Sequence, residues 1–441
     1  MENPAPNAQP NLRPIRNLRW WIAGLLFAST VINYIDRQTL AVLSPYLKEI
    51  YHWTNSDYAN LLIGFRITYT VGQTVCGRLM DRVGTRRGLT LSVLFYSIVS
   101  ISTSLARGFY SFAAFRFLLG AGESANWPGA TKAVSEWFPK QERAFATAFF
   151  DSGSSIGGAV APFLILPIYF RWGWRAVFVI PGVLGLIWLL IWRKVYHLPL
   201  DHPRLSSAER EHIVADAADP KSESFESGHH WMSLLKFPQT WGSIIARTFT
   251  DPVWFFIVEW LPIYLKAKGV SSSSALIAIW IPFIAADLGN LSGGAASGYL
   301  IKHGWSLGAA RKAIVIFGAC GMLLLIPTIA TVNLWAIIVL FALATFCYGT
   351  FTTIANVLPS DLFKSDAVAS VSGMGGTGAG IGTIIAFKLI GYFSDANQSL
   401  ATHSFDSIII VAGLVPFVGM LLVLWLVRNT SATEKGIVRP I

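Results

Sequence analysis

Apolar residues in this chain neither alternate with polar ones at the period of a half-buried strand nor recur every three or four positions as on a surface helix. They run in long blocks. Twelve blocks reach the roughly 20 residues that an α-helix needs to cross about 30 Å of hydrocarbon. They lie near 20–43, 58–79, 88–106, 109–130, 142–166, 172–193, 239–264, 275–298, 312–331, 333–357, 367–391 and 404–427. Such runs do not fit the alternating segments of a membrane β-barrel, and a helix satisfies its own backbone hydrogen bonds in lipid. The pattern predicts an all-α integral membrane protein with twelve transmembrane helices. One long hydrophilic stretch, 194–238, contains Asp201, Glu209, Arg210, Glu211, Asp216 and Lys221 and separates 1–193 from 239–441, six spans on each side.

Composition narrows the class. Of 441 residues, 53% are hydrophobic and 13% charged, which excludes a water-soluble globule. A net charge of +10 would suit nucleic acid if it were clustered on one surface. Instead the loops place 22 Lys and Arg on the side of the amino terminus and six on the other. This is a topogenic signal, so both termini are expected in the cytoplasm and no nucleic-acid partner is expected. Arg13, Arg16 and Arg19 precede a span of full length, so no cleavable signal peptide is expected. Cys76, Cys320 and Cys347 each sit in an apolar run and offer neither a disulfide frame nor metal-ligand spacing; no metal or cofactor is expected.

Between the second and third spans stands Gly77-Arg78-Leu79-Met80-Asp81-Arg82-Val83-Gly84-Thr85-Arg86-Arg87-Gly88. A basic topogenic turn explains Arg82, Arg86 and Arg87 but not Asp81 or the paired Gly77 and Gly84. The segment resembles the signature loop of the major facilitator superfamily. That resemblance implies two six-helix bundles, with Asp81 and Arg82 in a cytoplasmic latch between them that breaks as a carrier changes face. A degenerate echo, Gly298-Tyr299-Leu300-Ile301-Lys302-His303-Gly304, lacks the Asp. Asn33-Tyr34-Ile35-Asp36-Arg37, Arg116 through Glu123, Ser135-Glu136-Trp137-Phe138-Pro139 and Glu142-Arg143 are similar to the anion:cation symporter family. Lys132 through Pro139, Gly153 through Gly157 and Asp251 through Trp254 are most similar to its bacterial hexuronate carriers.

A charge at mid-membrane costs about 2.5 kcal/mol or more, so each one needs a partner, a water-filled space or a function. At about 1.5 Å of rise per residue, Asp36, Arg37, Arg66 and Arg116 fall in one layer, cationic enough to receive an anion. Glu123 falls about 10 Å deeper, near the midplane, with Tyr69, Arg247 and Asp251; Pro252 is expected to kink its helix. Lys132, Glu259 and Lys388 are expected to snorkel from helix ends. Asp151 and Asp287 are equally consistent with function and with packing. All eight histidines fall in loops or at span ends, so carboxylates must carry any coupled proton, and Asp36 and Glu123 are the candidates. The family resemblance implies the same pair as proton site, Arg37 on a substrate carboxylate, and Tyr69 and Arg247 beside substrate. Tyr34, Trp254 and Tyr348 adjoin polar span residues, and Asn126 and Thr377 could bind hydroxyls.

Gly153-Ser154-Ser155-Ile156-Gly157 fits a nucleophile elbow and Gly373 through Gly378 a dinucleotide fingerprint, but neither follows a strand and helix packing explains both. The reading is a monomeric carrier of the bacterial inner membrane, not an enzyme, bringing an organic anion inward with protons. By resemblance the anion is a hexuronate; galactonate, glucarate, a dicarboxylate or an aromatic acid, with sodium coupling or exchange, is the alternative.

Overall fold

The computed structural model describes residues 13–53, 55–214, 231–268, 280–396 and 405–427, and among them there is no strand. The first half contains α1 (Leu18–Tyr51), α2 (Asn55–Val83), α3 (Thr85–Thr103), α4 (Phe109–Glu123), α5 (Asn126–Trp137), α6 (Lys140–Asp151) and α7 (Gly153–Val195). A short α8 (Ser207–Val214) lies in the linker. The second half contains α9 (Pro238–Ala267), α10 (Trp280–Lys302), α11 (Leu307–Met322), α12 (Leu334–Leu362), α13 (Val368–Ala396) and α14 (Asp406–Leu426). These make the twelve expected spans. α4 and α5 form the fourth, interrupted just after Glu123 and reaching Trp137 rather than 130. α6 and the start of α7 form the fifth, and α7 turns at Gly173, where φ is 80°, to begin the sixth. A 3-10 segment, Leu323–Ala330, completes the ninth. The helix of α9 continues through Pro252 without a break in its assignment.

Six of these segments are long and apolar enough to cross a membrane by length and composition alone: α1, α6 with α7, α11 with its 3-10 extension, α12, α13 and α14. The others are interrupted or carry more polar residues, because they have a protein-facing side as well as a lipid-facing one. Their outward faces remain apolar, as at Ile63, Val71 and Leu288. Two bundles result. In the first, α1 and α3 pack on α7 and α2 packs on α4; in the second, α10 and α11 pack on α12, and α9 packs on α13 and α14. Each has its own apolar core, around Tyr96, Trp137 and Phe150 in one and Tyr264, Phe341 and Phe351 in the other.

The bundles meet along α2 with α13 and α6 with α10. Small residues permit that approach: a Cβ on Gly77 would strike the Ala369 carbonyl, and one on Gly294 would lie 2.8 Å from that of Ala144. Gly84 has a different reason, since its φ of 83° turns the chain from α2 into α3 in a region L side chains avoid. The two sequence motifs read as packing are helical. Gly153 and Gly157 press α7 on the Phe27 and Val31 carbonyls of α1, each 2.7 Å from a built Cβ, and Gly373 and Gly378 fit α13 between α2 and α9.

The described part of the linker belongs mechanically to the first bundle. Glu209 of α8 accepts from the Leu18 and Arg19 amides at 3.0 and 3.2 Å, occupying donors that the start of α1 leaves open. Its partner Arg19 also reaches Glu142 at 2.8 Å. His202 is buried, with Nε2 3.0 Å from the Val195 carbonyl and Nδ1 accepting from the Arg204 amide at 3.1 Å. That arrangement holds the ring neutral, and burial keeps its pKa below the usual histidine value although the Val195 bond opposes this. Asp216, Lys221, Arg428, Lys435, Arg439 and the side chain of Glu259 lie outside the described residues.

Candidate functional site

Arg37 is the hub of the site. Its Nε donates to Glu123 Oε2 at 2.7 Å, across α1 and α4. Its guanidinium lies 4.3 Å from the Tyr69 ring centre, 5.0 Å from that of Tyr34 and 5.4 Å from that of Phe65. Phe65 and Tyr69 are one turn apart on α2 and stack at 5.7 Å. Together they make an aromatic cradle that fixes the guanidinium plane by cation–π contact. The Arg37 side chain keeps 17% of its exposure and Glu123 none, so the arginine is the accessible partner and the carboxylate sits behind it. The sequence estimate put Glu123 about 10 Å deeper than the arginine layer. The long Arg37 side chain bridges that gap, so the two levels are one cluster.

Asp36 points the other way along the turn of α1, into the bundle. It is 2% exposed, accepts from Ser100 Oγ of α3 at 2.9 Å through Oδ1, and leaves Oδ2 without a hydrogen bond. Arg116 is 3% exposed, rests on the Phe65 ring at 4.8 Å, and has neither Nε nor Nη1 hydrogen-bonded. Asp36, Arg37, Arg116 and Glu123 are thus brought together. Arg66 lies 4.3 Å from the centre of the Phe255 ring on α9 of the second bundle while remaining within electrostatic reach of Tyr34. Of the expected layer, Arg37 and Arg116 share the Phe65 ring, Asp36 is within electrostatic reach of both, and Arg66 extends to Phe255 of the second bundle. Phe65, Phe255 and Ser100 had no signal in the sequence, because an apolar ring or a small hydroxyl within a span looks like packing.

The opposing wall comes from α9 and α12. Arg247 Nη2 donates to Asp251 Oδ2 at 3.0 Å, one helical turn apart, and both side chains keep about a tenth of their exposure. Trp254 stacks on Tyr348 at 5.6 Å with 8° between planes. Asn126 spends its amide on Ser29 at 2.8 Å and Thr30 at 3.3 Å, joining α5 to α1. Thr377 donates to the Thr70 carbonyl at 2.6 Å and lies 2.7 Å from the Thr74 hydroxyl, joining α13 to α2. Asp151 and Asp287 each reach the opposite bundle. Ser155 of α7 donates to Asp287 at 2.7 Å, and Asn290 of α10 points its amide at Asp151, 3.4 Å away.

Toward the end that carries the basic turn, the bundles are latched. Asp81 accepts from the Ala369 and Ser370 amides at 3.3 and 2.7 Å, capping α13, and from Lys132 Nζ at 2.8 Å. A carboxylate there is favoured by the helix dipole as well. Lys132 does not snorkel as expected, because Asp81 gives it a buried partner; Lys388 is exposed. Arg82 and Arg87 are exposed too, while Arg86 bonds the Arg193 carbonyl. The sequence echo lacking its Asp is supplied from elsewhere: Arg311 pairs with Asp361 of α12 at 2.8 Å and donates to the Lys140 carbonyl of the first bundle at 2.9 Å. Arg143 bonds the Ser360 carbonyl, and Ser365 donates to Glu136 at 3.2 Å.

Two six-helix bundles clasped at one end, with ionisable side chains held inside their spans, have the architecture of a membrane transporter. The Major Facilitator Superfamily pattern matches residues 26–386, and the chain belongs to that superfamily. The hexuronate transporter of Escherichia coli (strain K12) is 29% identical over 96% of this chain and 97% of its own. The galacturonate transporter of Dickeya chrysanthemi is 33% identical over 70% and 90%, and the D-galactonate transporter of Escherichia coli O6:H1 is 30% identical over 98% and 99%. Among solved structures, the proton:xylose symporter XylE bound to 6-bromo-6-deoxy-D-glucose aligns with a TM-score of 0.70 over 92% of this chain and 95% of that one, at 14% identity. This last similarity concerns the fold.

Proposed function

We propose that the protein carries a hexuronate such as glucuronate or galacturonate inward across the bacterial inner membrane together with protons, as a monomer with both termini in the cytoplasm. The observation that carries this reading is the Arg37–Glu123 pair, held on Tyr69, with the arginine partly accessible and the carboxylate fully buried. Removing one partner of a buried ion pair costs about 3–5 kcal/mol, so neither charge can be left alone. A proton arriving on Glu123 therefore frees Arg37 only when another anion takes its place. The substrate carboxylate is that anion, and the exchange couples the two cargoes.

With the basic end latched and read as the cytoplasmic one, this form is that of a carrier closed toward the cytoplasm. Substrate enters from the opposite side while Asp36 and Glu123 are protonated, and its carboxylate settles on Arg37 with Arg116 behind. Tyr34, Tyr69, Arg247, Asp251, Trp254 and Tyr348 enclose the polyol. Closure over the neutralised site strains the latch, Asp81 leaves the start of α13, and the site opens inward. Glu123 then loses its proton to the cytoplasm, reclaims Arg37 and expels the substrate. Sugar acids are favoured because the named relatives carry hexuronate, galacturonate and galactonate.

Purified protein in liposomes, given labelled glucuronate and an inward proton gradient, should accumulate it; Glu123→Gln should abolish accumulation while keeping counterflow. Accumulation by that variant equal to the native protein's, or accumulation driven by sodium at fixed pH, would overturn the coupling.

A further inference from the structure

The Ser100 hydroxyl stands 2.9 Å from Asp36 Oδ1 and 3.0 Å from the Phe178 carbonyl oxygen of α7, and the residue is fully buried. A serine has one hydrogen to donate and two acceptors in front of it. If Asp36 is ionised, the hydrogen can serve the carboxylate or the carbonyl but not both. When Asp36 carries a proton on Oδ1, its O–H can donate to Ser100 Oγ and the Ser100 hydrogen turns to Phe178. The bond to the carboxylate is the stronger of the two, since a hydrogen bond to a charged group contributes about 1.5–3 kcal/mol, so the hydroxyl serves Asp36 when it is ionised and Phe178 when it is not.

From this geometry we propose that Ser100 is a positioning residue for proton coupling: its hydroxyl reverses direction with the protonation state of Asp36 and relays that state from α1 to the α3–α7 contact. This rests on the proton-coupled reading above. The charged and titratable groups around Asp36 are fixed on every side. Its neighbour Arg37 is on α1, Arg116 and Glu123 are on α4, and Tyr96 of α3 lies in the field of both carboxylates. α7 offers the Phe178 carbonyl, while Arg175, nearly a turn away, is engaged with the Ser104 carbonyl at 3.1 Å. Ser100 is the group whose hydrogen bond to Asp36 changes sense, donating to the carboxylate and accepting from the acid.

The test is the pH profile of labelled glucuronate uptake in proteoliposomes for the native protein, Ser100→Ala and Ser100→Cys. Losing the hydroxyl removes a donor from the ionised carboxylate, so Asp36 keeps its proton to higher pH. The midpoint of uptake against external pH should move to the alkaline side in Ser100→Ala, and the maximal rate should fall about tenfold as inward release slows. Ser100→Cys, isosteric with a weaker donor, should lie between and also serves if the alanine variant does not fold. In an Asp36→Asn background, adding Ser100→Ala should produce no such displacement, because nothing is left to titrate. If native uptake is pH-driven but the Ser100 midpoints coincide with it, Ser100 has no part in coupling and the proton reading stands. If native uptake ignores pH, both fail.

Discussion

At the residue scale, the site depends on side chains that do two things at once. Arg37 makes an ion pair through Nε and holds its guanidinium 4.3 Å from the Tyr69 ring centre, two contacts that suit a planar guanidinium. Arg37→Lys should keep the charge but lose the stack, weakening glucuronate binding about tenfold, for a loss of about 1–2 kcal/mol. Isothermal titration in detergent would measure it, and an unchanged Kd would place substrate away from Arg37. Arg116 has a different character: buried with two donors unpaired, it is costly in the empty protein and is relieved by an anion. Arg116→Gln should therefore lower affinity while leaving the thermal midpoint of the ligand-free protein equal or higher. A lower midpoint would show the arginine to be structural.

At the scale of elements, function depends on how helix ends are tied. The start of α13 is capped by a carboxylate from another bundle, and Asp81→Asn would weaken that cap and leave Lys132 buried without its counter-charge. Opening at the basic end should be favoured and transport reduced at least tenfold, on the order of 2 kcal/mol or more for a truncated buried pair. A cysteine placed at Ser365 should then react faster with a maleimide supplied on that side; equal rates would argue that Asp81 does not hold the latch. The linker gives a pH prediction. Because His202 titrates lower in the folded protein than the usual 6.5, it contributes stability that is complete above 6.5 and is lost as pH falls through the lower folded value. Hydrogen-exchange protection of α8, corrected for intrinsic rates, should decline as pH is lowered below 6.5 in the native protein but not in His202→Gln.

At the scale of the whole molecule, the proposed cycle requires the two bundles to part and rejoin along the seams of α2 with α13 and α6 with α10. Thr74 and Thr377 face each other across one of these seams with hydroxyl oxygens 2.7 Å apart. A Thr74→Cys, Thr377→Cys pair, with Cys76, Cys320 and Cys347 replaced, should cross-link on oxidation, stop transport, and recover with reductant. Continued transport by the cross-linked form would mean that the seam is the pivot and does not open. The reciprocal contacts of Asp151 with Asn290 and Ser155 with Asp287 occupy the second seam and give two carboxylates that make no ion pair among the described residues a polar partner in the opposite bundle.

The sequence by itself determined the number of spans, the division into halves and the closed-end motif, because these depend on run length, loop charge and local turn chemistry within a few residues. It also named Asp36, Arg37, Arg116 and Glu123, since an ionisable residue in an apolar run is conspicuous wherever it later packs. It could not tell which charges pair. Arg37 with Glu123, Asp81 with the start of α13, and Ser100 with Asp36 join residues 86, 289 and 64 positions apart. Lys132 reads as a snorkelling lysine and is buried, and nothing in the sequence around Arg66 announces its approach to Phe255 in the other bundle. Depth along each helix follows from counting residues, whereas the direction each side chain faces follows from helix rotation. That rotation is set by the packing of small residues between neighbouring helices, and only the tertiary structure decided it.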